Sequence, residues 1–238
     1  MTGVFYGIGV GPGDPELMTQ KALKAIRASD VIAAPGENVR ETTAYRIAVR
    51  AAPGLERKEL LPILMPMVMD RSVMERAHRR GAEQIERVLL QGKSVGFLTL
   101  GDSTIYSTFS YLEKIVKKSG FQTVYINGVP SFCAAAAVLG IPLAEWREPL
   151  HIIPAMHRLK EELSYDGTCV LMKSGSHMKE VKELLKRSGK QVCMVENCGM
   201  ASQKRYTGAE QIPDDAGYFS LMIAKENNEA NPKELQDD

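Results

Sequence analysis

The sequence predicts an α/β protein of two α/β domains, the first on a five-stranded parallel sheet and the second on a mixed sheet. Three observations predict this. Short apolar runs alternate five times with amphipathic segments through residue 140, the pattern of a parallel sheet covered on both faces. In the second half the runs 204–212 and 218–224 follow each other with no helix between them, which implies a hairpin and a mixed sheet. Between the halves, IPLAEWREP (141–149) holds two prolines and the only tryptophan, so the domains are drawn as 1–142 and 143–238.

Each element has its own reason. VFYGIGV (4–10) is an unbroken apolar run and reads as a buried strand. Asp14 is placed to cap a helix over PELMTQKALKAIRAS (15–29), with Pro15 at its first position. VIAAP (31–35) is a short strand and TTAYRIAVRAA (42–52) a helix. ELLPIL (59–64) is an edge strand, because Pro62 has no N–H to give to a ladder. SVMERAHRRGAEQIERVLLQG (72–92) is a long amphipathic helix whose HRR (78–80) reads as a solvated face. VGFLTLG (95–101), a helix at 108–120 closed by Gly120, TVYIN (123–127) and the small-residue helix SFCAAAAVLG (131–140) complete the first half. In the second half 150–155, 168–173 and 191–197 are strand-like and 177–189 is a helix; the polar tail 227–238 is expected to fray.

Composition excludes several classes. With 30 basic and 29 acidic residues the formal charge is +1, which argues against a protein that coats nucleic acid. The longest weakly polar stretch, 133–144, is too short to span a bilayer, and no signal-peptide pattern follows Met1. A cytoplasmic protein without membrane attachment is the expectation. Cys133, Cys169, Cys193 and Cys198 form no CxxC pair, and the four histidines lack zinc-ligand spacing. Reduced thiols and no protein-bound metal are expected.

Three loops carry the functional signal. GIGVGPGD (7–14) follows the first strand. The dinucleotide fingerprint fails on spacing: counted from Gly7 the third glycine comes one place early, and counted from Gly9 its place holds Asp14. The lysine of a phosphate loop is absent. What remains is bare backbone able to pass close to a ligand or to another strand. Pro12 stiffens it, and Asp14 disfavours an anion there. TLGDSTIYST (99–108) brings Gly101 and Asp102 to the carboxyl end of another strand. Asp102 there either accepts from an amine or ribose hydroxyl or caps the next helix. INGVPSFCAAAA (126–137) repeats the arrangement, with Ser131 as a helix cap.

The segments GIGVGPGDPELMTQKAL, LGDSTIYST, NGVPSF, VLMK and ENCGMASQ, in this order and spacing, resemble the tetrapyrrole (corrin/porphyrin) methylases over about residues 4–225. Within that family the stretches 33–48, 61–77 leading into 95–112, and 217–225 look like the cobalamin-pathway enzymes that methylate carbon 20 of precorrin-2 or cobalt-factor II. Ala34, Pro35 and Gly36 stand where uroporphyrinogen methylases carry Asp-Arg-Leu, which argues against those. The resemblance implies S-adenosylmethionine as methyl donor in an active cleft between the two domains, a tetrapyrrole substrate and a homodimer. By motif position it implies donor contacts at Gly11 and Pro12, at Leu100, Gly101, Asp102 and Ile105, at Pro130 and Ser131, and at Met172, Gly199, Met200 and Ala201. Two positions depart from the family: Ser103 stands where many members have proline, and Pro130 where many have threonine.

The implied substrate is a macrocycle bearing several carboxylates. Its carbon 20 attacks the sulfonium methyl and then loses a ring proton, for which Asp102, Tyr106 and Glu196 are the candidate bases. Arg40, Arg46, Arg147, Arg158 and Lys173 are candidates for its carboxylates. Methylation of another tetrapyrrole ring position, or a non-catalytic tetrapyrrole-binding protein on the same fold, are the alternatives. The motifs are common to the routes with and without cobalt in the ring.

Overall fold

The computed structural model describes residues 2–66, 68, 70–154, 159–174 and 177–227. The chain forms two compact units, Met1–Pro130 and Ser131–Asp238.

The first unit holds β1 (Val4–Gly9), β2 (Val31–Pro35), β3 (Glu59–Ile63), β4 (Val95–Thr99) and β5 (Gln122–Ile126). They form one sheet in the order β3-β2-β4-β1-β5, with every neighbouring pair parallel. β3 is at the edge, as Pro62 requires. From β1 the chain crosses over β4 to reach β2; from β4 it crosses over β1 to reach β5. The connections leave these two neighbouring strands in opposite directions, so their carboxyl ends form a topological switch point, the usual place for a ligand on such a sheet.

Period-two alternation splits the strand residues between two layers. Ile8, Ile32 and Leu98 pack with Ala22, Ile26, Ala44 and Tyr45 from α1 (Gln20–Ala28) and α2 (Thr43–Ala51). Phe5, Val31 and Phe97 pack on the other face with Ile85 and Leu89 of α3 (Arg71–Leu90) and Phe109 and Leu112 of α4 (Phe109–Lys118). Gly7 serves this packing: a Cβ there would lie 2.3 Å from the Phe109 ring.

Two readings of the first half need correction. Residues 15–29 are not one helix. A 3-10 turn, Pro15–Leu17, is capped by Asp14, and Met18 and Thr19 are then extended. Thr19 caps α1, its hydroxyl accepting from the Ala22 N–H at 3.1 Å. Asp14 and Thr19 each satisfy a free helix donor, and the extended backbone at Met18 and Thr19 separates the turn that Asp14 caps from the helix that Thr19 caps. In HRR only Arg79 and Arg80 are exposed; His78 is buried and stacks on Tyr111, with ring centroids 4.7 Å apart. It lies on the same helix face as the buried Ala82 and Ile85.

The second unit holds α5 (Ser131–Leu139), β6 (Leu150–Pro154), α6 (Leu159–Glu162), β7 (Thr168–Met172), α7 (Met178–Arg187), β8 (Gln191–Glu196), β9 (Lys204–Thr207) and β10 (Ser220–Lys225). The sheet is mixed, in the order β6-β7-β10-β8-β9. The hairpin pairs β8 with β9, not β9 with β10; β10 runs antiparallel between β7 and β8. Burial gives the reason. Ser220–Ala224 are buried on both faces and demand two neighbours, whereas Lys204, Arg205 and Thr207 are exposed and suit an edge. The unit begins at α5, ahead of the boundary at 142/143 read from the sequence, because this alanine-rich helix packs on β8 and β10. Most of the polar tail, residues 228–238, lies outside the described residues.

Candidate active site

At the switch point the loops after β1, β4 and β5 join backbone to backbone. The Val10 N–H donates to the Thr99 carbonyl at 2.9 Å. Gly11 and Gly101 exchange two hydrogen bonds, N to O at 3.1 and 2.8 Å, and both have left-handed backbone, φ 77° and 72°. Gly9 and Gly128 close the third side. A Cβ on Gly9 would lie 2.6 Å from the Gly128 nitrogen, and one on Gly128 would lie 2.2 Å from the Gly101 carbonyl oxygen. At these two glycines the close approach is therefore to another loop.

Asp102 fastens the same three-way joint. Its Oδ2 accepts from the Gly128 N–H at 2.9 Å and the Asn127 amide at 3.2 Å. Its Oδ1 accepts from the Thr104 N–H at 2.7 Å and from the Thr104 hydroxyl. Burial pushes the Asp102 pKa up, but the bonds from Thr104, Gly128 and Asn127 outweigh it and hold the carboxyl below its ordinary value. An ionised carboxylate so occupied is a weak acceptor for one more proton. Asp102 does not cap α4, since the Phe109 N–H donates to the Ser107 hydroxyl at 3.1 Å.

Sequence reading missed the other fasteners. Ser103 is fully buried and donates to the Ile126 carbonyl at 3.0 Å, which gives the departure from proline a purpose. The Thr19 hydroxyl donates to the Asn127 carbonyl at 3.1 Å. The Asn-Gly pair at 127–128 marks a turn in the sequence, but nothing local says which distant backbone it meets.

Of the residues expected here, the first unit gathers Gly11, Pro12, Leu100, Gly101, Asp102, Ile105 and Tyr106 in the loops after β1 and β4, and Pro130 in the loop after β5. Pro12 is buried, Leu100 and Ile105 are half-buried, and Tyr106 is exposed. Tyr106 has φ 48°, a left-handed backbone rare for a bulky residue and found mostly where function keeps it.

In the second unit Met172 ends β7 and Glu196 ends β8, and the register sets them opposite Leu221 and Ser220 at the start of β10. The turn after β8 carries Gly199, Met200 and Ala201 on that rim, held by Met200 N–H to the Asn197 carbonyl and Gly199 N–H to Gln203 Oε1, at 3.0 and 2.8 Å. Glu196 Oε1 accepts from the Gly217 N–H at 2.9 Å. Lys173 and Asn197, directly after Met172 and Glu196, are both left-handed, φ 63° and 53°. Burial pushes the Lys173 ammonium pKa down. The Ser174 hydroxyl is buried with no hydrogen-bond partner among the described residues. Ser131 opens α5, half-buried.

The cations proposed for substrate carboxylates are uneven. Arg40 is committed locally, to the Tyr45 hydroxyl at 3.1 Å and the Glu56 carbonyl at 3.3 Å. Arg147 lies over the exposed Trp146 ring, 4.5 Å from its centroid, and Arg46 is exposed. Arg158 lies outside the described residues. Among the described residues no group of three His, Cys, Asp or Glu could hold a metal ion, and no helix is long and apolar enough to cross a membrane.

The family profile of the tetrapyrrole (corrin/porphyrin) methylases matches residues 4–212. The chain belongs to that family. Among its methylase relatives, one from Methanocaldococcus jannaschii, named as a probable cobalt-precorrin-2 C(20)-methyltransferase, is 33% identical over 224 residues, covering 92% of this chain and 95% of its own length. The precorrin-2 C(20)-methyltransferase of a Sinorhizobium species is 28% identical, covering 93% of this chain and 94% of its own. The fold matches the solved methylase uroporphyrin-III C-methyltransferase from Thermus thermophilus, complexed with S-adenyl homocysteine. The TM-score is 0.69 at 18% identity, covering 96% of this chain and all of that one.

Proposed function

We propose that this methylase transfers a methyl group from S-adenosylmethionine to carbon 20 of precorrin-2 or its cobalt form, in cobalamin biosynthesis. The observation that carries the reading is the glycine-built joint at the switch point of β1 and β4, in a chain that aligns over nearly its whole length with carbon-20 methyltransferases. S-adenosylmethionine supplies a methyl already activated by its sulfonium. The protein's task is then to place two reactants and keep water away. Its residues suit that task. Gly11, Pro12 and Gly101 bring no charged side chain to oppose the sulfonium, and Asp102 holds the loops as a positioning residue. Tyr106 and Glu196 remain the candidates to take the ring proton; one oxygen of Glu196 is held by the Gly217 N–H. We further assign the methyl-donor contacts to the two rims described, and place the protein in the cytoplasm as a homodimer.

Calorimetric titration with S-adenosylhomocysteine tests the donor: saturable binding of one molecule per chain is expected, and no binding under any condition overturns the reading. Parallel incubation with precorrin-2 and with cobalt-factor II settles which ring is used. Gly11 gives a sharper local test. Asparagine tolerates left-handed backbone, so Gly11→Asn should fold and keep measurable donor affinity. Valine does not tolerate it, and its branched side chain would start 3.3 Å from the Leu17 carbonyl oxygen and displace the loop. Gly11→Val should lose donor binding by calorimetry, and full activity in it would refute the assignment.

A further inference from the structure

Beside α3, a groove of about 800 Å³ opens at the carboxyl ends of β2 and β3, within the first unit. That volume is ample for a small-molecule site. Gly36 and Glu37, after β2, and Leu64, Met65 and Pro66, after β3, line one side. The other side is a stripe of α3 bearing Val73, Ala77 and three arginines, Arg76, Arg80 and Arg87. None of the three guanidinium groups pairs with a carboxylate among the described residues. Arg76 donates to the Ser72 hydroxyl at 3.2 Å, Arg87 to the Glu83 carbonyl at 3.2 Å, and Arg80 makes no such contact. Glu37 and Glu83 are the acids that line the groove. Leu64 is 60% exposed, apolar surface facing water beside cations that pair with no carboxylate among the described residues.

The sheet order sets this groove next to the switch point. β2 neighbours β4, and strands lie about 4.8 Å apart, so a flat ligand over the β1 and β4 loops extends naturally over β2 and β3. Apolar side chains under guanidinium groups suit a conjugated ring that carries carboxylates. They do not suit a sulfonium cation, which three arginines repel.

We propose that this groove receives carboxylate side chains of the tetrapyrrole substrate. Arg76 and Arg80 pair with the carboxylates, and Leu64 and Met65 lie against the ring edge. The inference rests on the function proposed above and names where that substrate's charge is met.

The test compares wild type, the double variant Arg76→Gln/Arg80→Gln, and Arg79→Gln, an exposed arginine outside the groove. Each is titrated with uroporphyrin, a polycarboxylate porphyrin, by fluorescence quenching, and with S-adenosylhomocysteine by calorimetry. Loss of two charge-assisted contacts should raise the uroporphyrin Kd of the double variant by about tenfold or more and flatten its salt dependence. Its S-adenosylhomocysteine Kd and melting temperature should not move, since both side chains are solvated, and Arg79→Gln should behave as wild type. An unchanged uroporphyrin Kd in the double variant, or an equal loss in Arg79→Gln, overturns the groove. If that happens while the wild type still binds S-adenosylhomocysteine and methylates precorrin-2, the proposed function stands. A wild type that binds no S-adenosylhomocysteine overturns the function, and this inference with it.

Discussion

Gly128→Ala is expected to abolish methyl transfer and lower the melting temperature by about 6–12 °C, the fall that about 3 kcal/mol produces in a chain of this size. The added Cβ would lie 2.2 Å from the Gly101 carbonyl oxygen and 2.7 Å from the Gly9 carbonyl carbon. Both obstacles are backbone, so no side chain can swing aside. The loop after β5 must lift off the other two, and the Asp102 bond to the Gly128 N–H lengthens with it. Gly120→Ala is the control. Nothing lies within 4 Å of a Cβ there, and only its left-handed φ of 90° is strained. It should lose about 1–2 kcal/mol and keep its activity. Thermal melts and turnover on the same preparations read both effects, and an active Gly128→Ala would contradict the joint.

Asp102→Ala should cost about 2–4 kcal/mol and lower turnover by about two to three orders of magnitude. The stability loss comes from the buried Gly128 N–H and the Asn127 amide, which lose their acceptor. The rate loss comes from loops shifted by a fraction of an ångström to an ångström. Asp102→Asn should recover little of either, since its NH₂ must face a donor, from Thr104 on one side or from Gly128 and Asn127 on the other. The pH dependence separates this account from a catalytic base. Burial raises the Asp102 pKa, the hydrogen bonds lower it further, and the folded value lies below the ordinary 3.8. The carboxylate's stabilising contribution is therefore complete above that ordinary value and is lost as pH falls through the folded one. The gap in melting temperature between wild type and Asp102→Asn should narrow as pH drops below about 4. Parallel curves would contradict it.

Much of the fold is legible in the sequence because strands buried on both faces are written as apolar runs. Residues 4–10, 31–35 and 95–101 each contain the strand that forms. Pro62 marks the edge because the missing N–H is a property of one residue. What is not legible depends on partners far along the chain. The apolar run of β10 shows that it needs two neighbours, but not that these are β7 and β8. The break before α1 turns on whether Asp14 or Thr19 caps, and only the Thr19 hydrogen bond to the Asn127 carbonyl shows why the chain stays extended there. In the site, periodicity brings the three loops to one rim but does not tell a glycine that admits a ligand from one that admits another loop. Gly7 makes room for a phenylalanine ring, and Gly9 and Gly128 admit each other and Gly101. The arginines of α3 look like a solvated stripe until the residues after β2 and β3 fold against them.

The central claim is the position of the transferred methyl. The direct measurement is incubation of the purified protein with precorrin-2, or cobalt-factor II, and S-adenosylmethionine labelled with carbon-13 in its methyl group, read by carbon-13 NMR of the product. One enriched methyl on carbon 20 is the predicted result. An enriched methyl at any other ring carbon, or none from a protein that binds S-adenosylhomocysteine, would contradict it.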